Sequence, residues 1–273
     1  MERRNVMYCA ATPLLSLDGG RILLKLEGFH PTGTLKDRII FPIIQAAKAQ
    51  GRTLLLADWG PFALSAAWAC QSLGQKLECF FPEDAPSCFV EQIQALSVPI
   101  HWKKSSLDDL RLQVTELAAA DPNQYQILDP WTDPENPMAY CDSLAEELWR
   151  QSNGSLSAIV CGTETCGCLM GCATGLKIKN PDILAVASPI HNDFYGNCDP
   201  LGAADPELYV PQLCDLLSYC SPEDACRQQK WLMNQQGILC GKVGGAALHT
   251  ARELEKQLDG PIVVILPSRY TCY

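Results

Sequence analysis

The chain has 273 residues, 47% of them hydrophobic and 19% charged, a balance that supports a sizeable core and excludes a disordered polymer. Its formal net charge of −10, with no basic run, argues against nucleic acid and anionic membrane surfaces as partners. No window approaches about eighteen uncharged apolar residues, and no apolar signal core follows Met1-Glu2-Arg3-Arg4-Asn5, so a cytoplasmic chain without membrane association is expected. The cysteines number 15 and are scattered through apolar segments, which fits reduced thiols better than a disulfide framework.

Thr12-Pro13-Leu14-Leu15 leads to the Gly19-Gly20 turn, and Ile22, Leu23 and Leu24 then form an apolar strand. That strand runs into Lys25-Leu26-Glu27-Gly28-Phe29-His30-Pro31-Thr32-Gly33-Thr34-Leu35-Lys36-Asp37-Arg38. Lys36 stands at the mouth of a helix that continues through Ile39, Phe41, Ile43 and Ile44. A helix start carries partial positive charge and favours anions, so a lysine is an unusual choice there. Held beside a helix start, an amine loses proton affinity and becomes a nucleophile for a carbonyl. On these residues alone, an ordinary surface lysine in a strand–turn–helix is the alternative.

Strands are expected at 53–57, 77–81 and 98–102, with helices at 61–73, 87–96 and 107–120. Gly74 ends the first of these helices and Pro82 stops the second strand. This alternation predicts right-handed βαβ units around a parallel sheet. Asp121-Pro122-Asn123 and Asp129-Pro130-Trp131-Thr132-Asp133-Pro134 read as loop, a crossing between two lobes. A helix at 138–149, a strand at 157–161 and a turn at 162–171 opening a helix follow, then a break at Asn180-Pro181-Asp182 and a strand at 183–187. Residues 189–221 read as irregular, with helices at 222–236 and 245–258 and a last strand at 261–266.

The lysine segment resembles the active-site segment of the cysteine-synthase-like, fold-type-II pyridoxal phosphate enzymes, which also include threonine synthase and the tryptophan synthase β chain. Four further stretches carry the resemblance in order along the chain. They are the turn after Val160, Leu176-Lys177-Ile178-Lys179-Asn180-Pro181-Asp182-Ile183, the run Gln236-Gly237-Ile238-Leu239-Cys240-Gly241-Lys242-Val243-Gly244-Gly245-Ala246-Ala247, and Leu266-Pro267-Ser268 with Tyr270. The resemblance implies an α/β, two-lobed architecture with parallel-rich twisted sheets flanked by helices. Residues 1–44 with 138–273 would form the larger, cofactor-binding lobe and 45–137 the smaller, mobile one, with the cofactor between them at strand carboxyl ends.

It also implies pyridoxal phosphate as cofactor, carried on Lys36, with Ser268 facing the pyridine nitrogen. The phosphate would lie on the backbone of Thr165, Cys166, Gly167 and Cys168, since a helix start with glycine binds a dianion well. The family reads Gly-Thr-Gly-Gly-Thr there; here Glu164 brings a carboxylate and Cys168 replaces a hydroxyl. Thr34 and the loop Asp58-Trp59-Gly60 fall at the substrate positions, but the family's loop asparagine is missing and Asp58 would repel a carboxylate. The expected function is β-elimination or β-replacement on a serine- or cysteine-type amino acid by a homodimer. A non-catalytic relative serving as scaffold or protein partner is the alternative. Cys161, Cys166, Cys168 and Cys172 cluster in sequence without paired C-x-x-C spacing, which favours thiols over a metal site; a reactive thiol at Cys166 or Cys168 is a further reading.

Overall fold

The computed structural model describes residues 10–48, 51–85, 87–191 and 206–270. The chain divides into two compact units, Met1–Leu35 with Trp131–Tyr273, and Lys36–Pro130. The first unit opens with β1 (Leu14–Ser16) and β2 (Ile22–Leu26). The second holds α1 (Asp37–Lys48), β3 (Thr53–Leu56), α2 (Pro61–Leu73), β4 (Leu77–Pro82), α3 (Ser87–Ala95), β5 (Ile100–Lys103), α4 (Leu107–Ala120) and β6 (Tyr125–Ile127). The first then resumes with α5 (Glu135–Tyr140), a wider π-type turn (Cys141–Ala145), α6 (Glu146–Gln151), β7 (Ala158–Cys161), α7 (Gly167–Lys179) and β8 (Leu184–Ala187). It closes with β9 (Leu216–Leu217), α8 (Pro222–Trp231), a second π-type turn (Leu232–Gln236), α9 (Lys242–Leu254) and β10 (Ile262–Leu266).

Both sheets are parallel-rich, as the alternation of strand and helix demands. The larger runs β1-β2-β10-β7-β8-β9, and only the edge strand β1 is antiparallel to its neighbour. The smaller, β5-β4-β3-β6, is parallel throughout. Central strands are buried on both faces and so carry unbroken apolar runs: every residue of Ile262-Val263-Val264-Ile265-Leu266 is buried. Helix ends follow local chemistry. Ser106 and Ser221 accept the N–H of Asp109 and Asp224, and Gly74 closes α2 in the left-handed conformation that glycine adopts readily. Among the described residues no helix is long and apolar enough to cross a membrane.

The element boundaries depart from the sequence reading where tertiary partners intervene. The helix expected from residue 138 begins at Glu135, after an Asx turn in which Asp133 Oδ1 accepts the Glu135 N–H at 2.9 Å. β6 lies between the two stretches that read as loop; it is a three-residue edge strand held by its pairing with β3. The strand expected at 98–102 shifts to Ile100–Lys103 to match the β4 register, after Ser97 turns with φ +57°. The helix expected from Gly245 begins at Lys242. Of the stretch read as irregular, residues 192–205 lie outside the described residues, and β9 occupies part of the remainder.

The buried helix α7 shows how tightly the first unit closes. Gly167, Gly171 and Gly175 recur every fourth residue, so they share one face. A methyl group at Gly171 would strike the Pro137 carbonyl, and one at Gly175 would come within 2.6 Å of Ala145 Cβ. Close approach of α7 to the helical run of α5 and the π-type turn therefore requires the absence of side chains along that face. Gly171→Ala should lower stability by about 1–3 kcal/mol through overpacking, despite alanine's better helix propensity. Denaturant unfolding checks this, and an unchanged or raised midpoint would refute it.

Candidate functional site

The turn before Lys36 is fixed by the end of the last strand. Leu35 N–H donates to the Pro267 carbonyl at 2.8 Å, Arg269 N–H donates to the Gly33 carbonyl at 3.1 Å, and Thr34 and Ser268 face each other as an antiparallel bridge between those bonds. The Tyr270 hydroxyl adds a bond to the Thr32 carbonyl at 2.7 Å. Gly33 has φ +83°, and a Cβ there would lie 2.5 Å from Arg269 Nε, so both conformation and space call for glycine. The strand leading into this turn is anchored as well. Lys25, fully buried, pairs with the Glu147 carboxylate and donates to the Thr12 carbonyl at 2.7 Å and to Gln151 Oε1 at 2.8 Å. Glu27 accepts from the Thr12 hydroxyl at 2.7 Å and lies 3.2 Å from His30 Nε2. Sequence reasoning missed this network; a lysine inside an apolar strand was its signal.

Thr34 and Ser268 are both buried, at 1% and 3% exposure. Ser268 Oγ accepts the Tyr270 N–H at 3.0 Å. A hydroxyl that accepts in this way keeps its own hydrogen for an acceptor elsewhere.

In the second unit, Lys36 is buried at 7% exposure, and its carbonyl accepts from Ile39 and Ile40 as α1 begins. The first turn itself carries the anion that a helix start favours: the buried Asp37, whose Oδ1 accepts the Ser65 hydroxyl of α2 at 2.6 Å. Lys36 thus sits just outside the helix, with Asp37 bolted to the neighbouring one. Phe41 meets Trp68 edge-on at 4.9 Å and strengthens the same contact. After β3, Asp58 Oδ1 accepts the Gly60 N–H at 2.7 Å, an Asx turn that delivers the chain to Pro61 at the start of α2. Trp59 lies 6.4 Å from Phe89. Burial first, then the neighbouring Cys70 and Asp58, push the Cys79 thiol well above the ordinary range.

The third segment follows β7 in the first unit. Thr163, Thr165 and Cys166 are buried, whereas Glu164 and Cys168 are half-buried. Cys166 has φ +62°, a left-handed conformation uncommon for a side chain, and it turns the chain into α7. Thr165 Oγ1 accepts from Asn136 Nδ2 at 3.1 Å and from Gly167 N–H at 3.3 Å. A Cβ on Gly167 would collide with the Asn136 side chain, so glycine at the first helical position lets Asn136 reach the turn. Asn136 is fully buried and was missed in the sequence, where it reads as part of a Pro-rich loop. The first-turn N–H groups of α7 lack intrahelical partners and, with the helix dipole, favour an anion. Cys161 is held well above the ordinary thiol range, first by its hydrogen bond to Cys168, then by burial and the sulfurs of Cys168, Cys172 and Cys166. Among the described residues no group of three or more His, Cys, Asp or Glu is arranged to hold a metal ion.

Parallel-rich α/β sheets, a buried lysine ahead of one helix, an anion-favouring helix start after a sheet strand and a buried hydroxyl at a strand end are features compatible with a cofactor-dependent enzyme. The pyridoxal-phosphate dependent enzyme family matches residues 7–268, and the chain belongs to that family. It is 29% identical over 262 residues to a cysteine synthase of Aquifex aeolicus, covering 90% of this chain and 80% of the relative. It is 26% identical over 277 residues to a cysteine synthase B of Pseudomonas aeruginosa, covering 93% and 90%. A solved cysteine synthase of Entamoeba histolytica superposes with a TM-score of 0.87 at 23% identity, over 98% of this chain and 88% of that one, and shares the fold.

The residues present fit pyridoxal phosphate. As separate groups, a buried hydroxyl at Ser268 would suit a ring nitrogen, the helix start of α7 would suit a phosphate, and Lys36 is a buried primary amine. Glu164 brings an opposing charge to this turn: at 4 Å from a phosphate it would cost on the order of 4 kcal/mol per charge pair at an effective dielectric near 20. The expectation is that its carboxylate turns away from the cradle. Glu164→Gln should then change pyridoxal phosphate affinity by less than about threefold, roughly 0.65 kcal/mol, in an equilibrium titration. A tightening of tenfold or more would show that the carboxylate opposes the phosphate.

Proposed function

We propose that this chain catalyses β-elimination or β-replacement on a serine- or cysteine-type amino acid, holding pyridoxal phosphate through Lys36, Thr165, Cys166, Gly167, Cys168 and Ser268. The observation that carries the reading is the Ser268 hydroxyl, oriented by the Tyr270 N–H so that its hydrogen is left to donate. When bound, the cofactor supplies an electron sink for negative charge at the substrate α-carbon. The neutral Ser268 hydroxyl would meet the ring nitrogen as a hydrogen-bond donor without giving it a charge partner. Lys36 Nζ removes the α-proton and returns one at the end of turnover. The first-turn N–H groups of α7 would hold the phosphate, and Asn136 Nδ2 donates to Thr165 Oγ1 beside them.

Thr34, Asp58, Trp59 and Gly60 are assigned to the substrate side. One Asp58 oxygen is already committed to the Gly60 N–H, and the carboxylate brings negative charge to the loop that family members use to grip the substrate carboxylate. This supports a substrate other than the usual free amino acids. The same observation favours the second reading, a non-catalytic relative that keeps the fold and acts as a scaffold or protein partner. A homodimer is proposed for either reading, and light scattering of the purified chain distinguishes it from a monomer.

The lysine assignment is tested by reduction. Borohydride should attach the pyridoxyl group to Lys36 alone, and Lys36→Ala should abolish the visible absorption of the bound cofactor with little change in folding. Attachment to another lysine overturns the assignment.

The loop reading makes a separate prediction. Serine, O-acetylserine and cysteine at millimolar concentration should barely perturb the cofactor spectrum, because Asp58 disfavours their carboxylate. A rapid spectral shift with O-acetylserine would return the site to ordinary cysteine synthase chemistry.

A further inference from the structure

The hydroxyl of Thr165 has its acceptor capacity filled from within the first unit. Asn136 Nδ2 donates to Thr165 Oγ1 at 3.1 Å, and the Gly167 N–H donates to the same oxygen at 3.3 Å. A hydroxyl carries two lone pairs and one hydrogen, so two received bonds leave it only the O–H to offer. Among the described residues that hydrogen has no acceptor, although Thr165 is only 4% exposed. A buried polar group in this state calls for a partner, and the partner it can take is an acceptor. The neighbouring first-turn N–H groups of the 13-residue helix α7 favour an anion, so an anionic oxygen suits the whole turn.

Asn136 sets this polarity. It is the second residue of α5, fully buried, and it reaches the turn through space that side chains would close: a Cβ on Gly167 would strike its amide, and one on Gly171 would strike the carbonyl of the adjoining Pro137. An amide nitrogen can donate and cannot accept. Facing Thr165 Oγ1, it denies the hydroxyl an internal acceptor on that side. A carboxylate in the same place would take the hydroxyl hydrogen and turn the group inward.

We propose that Asn136 is a positioning residue for the cofactor's phosphate: acting through Thr165 Oγ1, its Nδ2 commits the Thr165 O–H to donate to a phosphate oxygen. The role rests on the pyridoxal phosphate reading. It gives the cradle a hydrogen bond to a charged acceptor, one of the stronger kinds, without placing a cation in the turn. Asn136 itself touches neither the phosphate nor the reacting atoms in this role.

Pyridoxal phosphate and pyridoxal, the same ring without the phosphate, are titrated into the cofactor-free chain and its variants, and the ratio of the two dissociation constants is read. Thr165→Val should weaken pyridoxal phosphate by about tenfold or more and leave pyridoxal unchanged. Asn136→Ala should weaken pyridoxal phosphate by about three- to tenfold, again without effect on pyridoxal. Asn136→Asp, of the same size and therefore the gentler change to packing, accepts from Thr165 and should weaken it by about tenfold or more. Beside Thr165→Val, Asn136→Ala should add less than about twofold, since its effect passes through the hydroxyl. Circular dichroism establishes that each variant is folded. Equal weakening of both ligands by the Asn136 variants, or an Asn136→Ala effect undiminished beside Thr165→Val, overturns the proposal and leaves Asn136 a packing residue. A full effect of Thr165→Val with neutral Asn136 variants overturns the positioning role alone and spares the cradle. A wild-type chain that binds pyridoxal phosphate no better than pyridoxal overturns both.

Discussion

Two backbone hydrogen bonds, from Leu35 to Pro267 and from Arg269 to Gly33, set the geometry that matters most in this chain. They fix the last residue before Lys36 against the end of β10, so a turn that would otherwise sample many directions has one. Everything around the clasp serves it. Gly33 and Gly28 leave room for the Arg269 backbone and stem, the Tyr270 hydroxyl closes the far side on Thr32, and the buried Lys25–Glu147 pair holds the incoming strand. A buried ion pair is weak evidence for net stability, since desolvation offsets much of its attraction. Its two additional acceptors, Thr12 and Gln151, leave the ammonium fully engaged and so specify one seating for β2.

Much of the fold was legible because its signals are local. Pro61 at a helix start and Gly74 at its end bound α2 at the positions read from sequence, and the apolar runs of β3, β4, β7, β8 and β10 need no tertiary information to be recognised as buried strands. What escaped depends on partners far along the chain. β6 has three half-buried residues and no periodicity of its own; its pairing with β3 makes it a strand. The early start of α5 follows an Asx turn at Asp133, which competes in sequence with its reading as a Pro-flanked loop residue.

The candidate site divides in the same way. Lys36 could be singled out as a cation at a helix start, whereas Ser268 and the turn before α7 stood out only through the resemblance to a known family. Asn136 and Glu147 could not, because a polar residue near a helix start or on a helix is unremarkable until its burial is known.

The discontinuous first unit has a consequence for how the chain acquires its structure. β2 finds its central partner β10 only at the far end of the sequence, and the Thr32–Tyr270 bond spans 238 positions. Contacts of such separation carry a large loop-closure entropy and form slowly. Residues 36–130 make a contiguous unit with local βα connections and can organise while synthesis continues. β2, with its buried lysine, must wait. Until then only the short strand β1 can pair with it, the edge meant for β10 stays open, and its ammonium helps keep it soluble in the interval: the charge that must be neutralised in the finished unit acts beforehand as a gatekeeper against premature strand pairing.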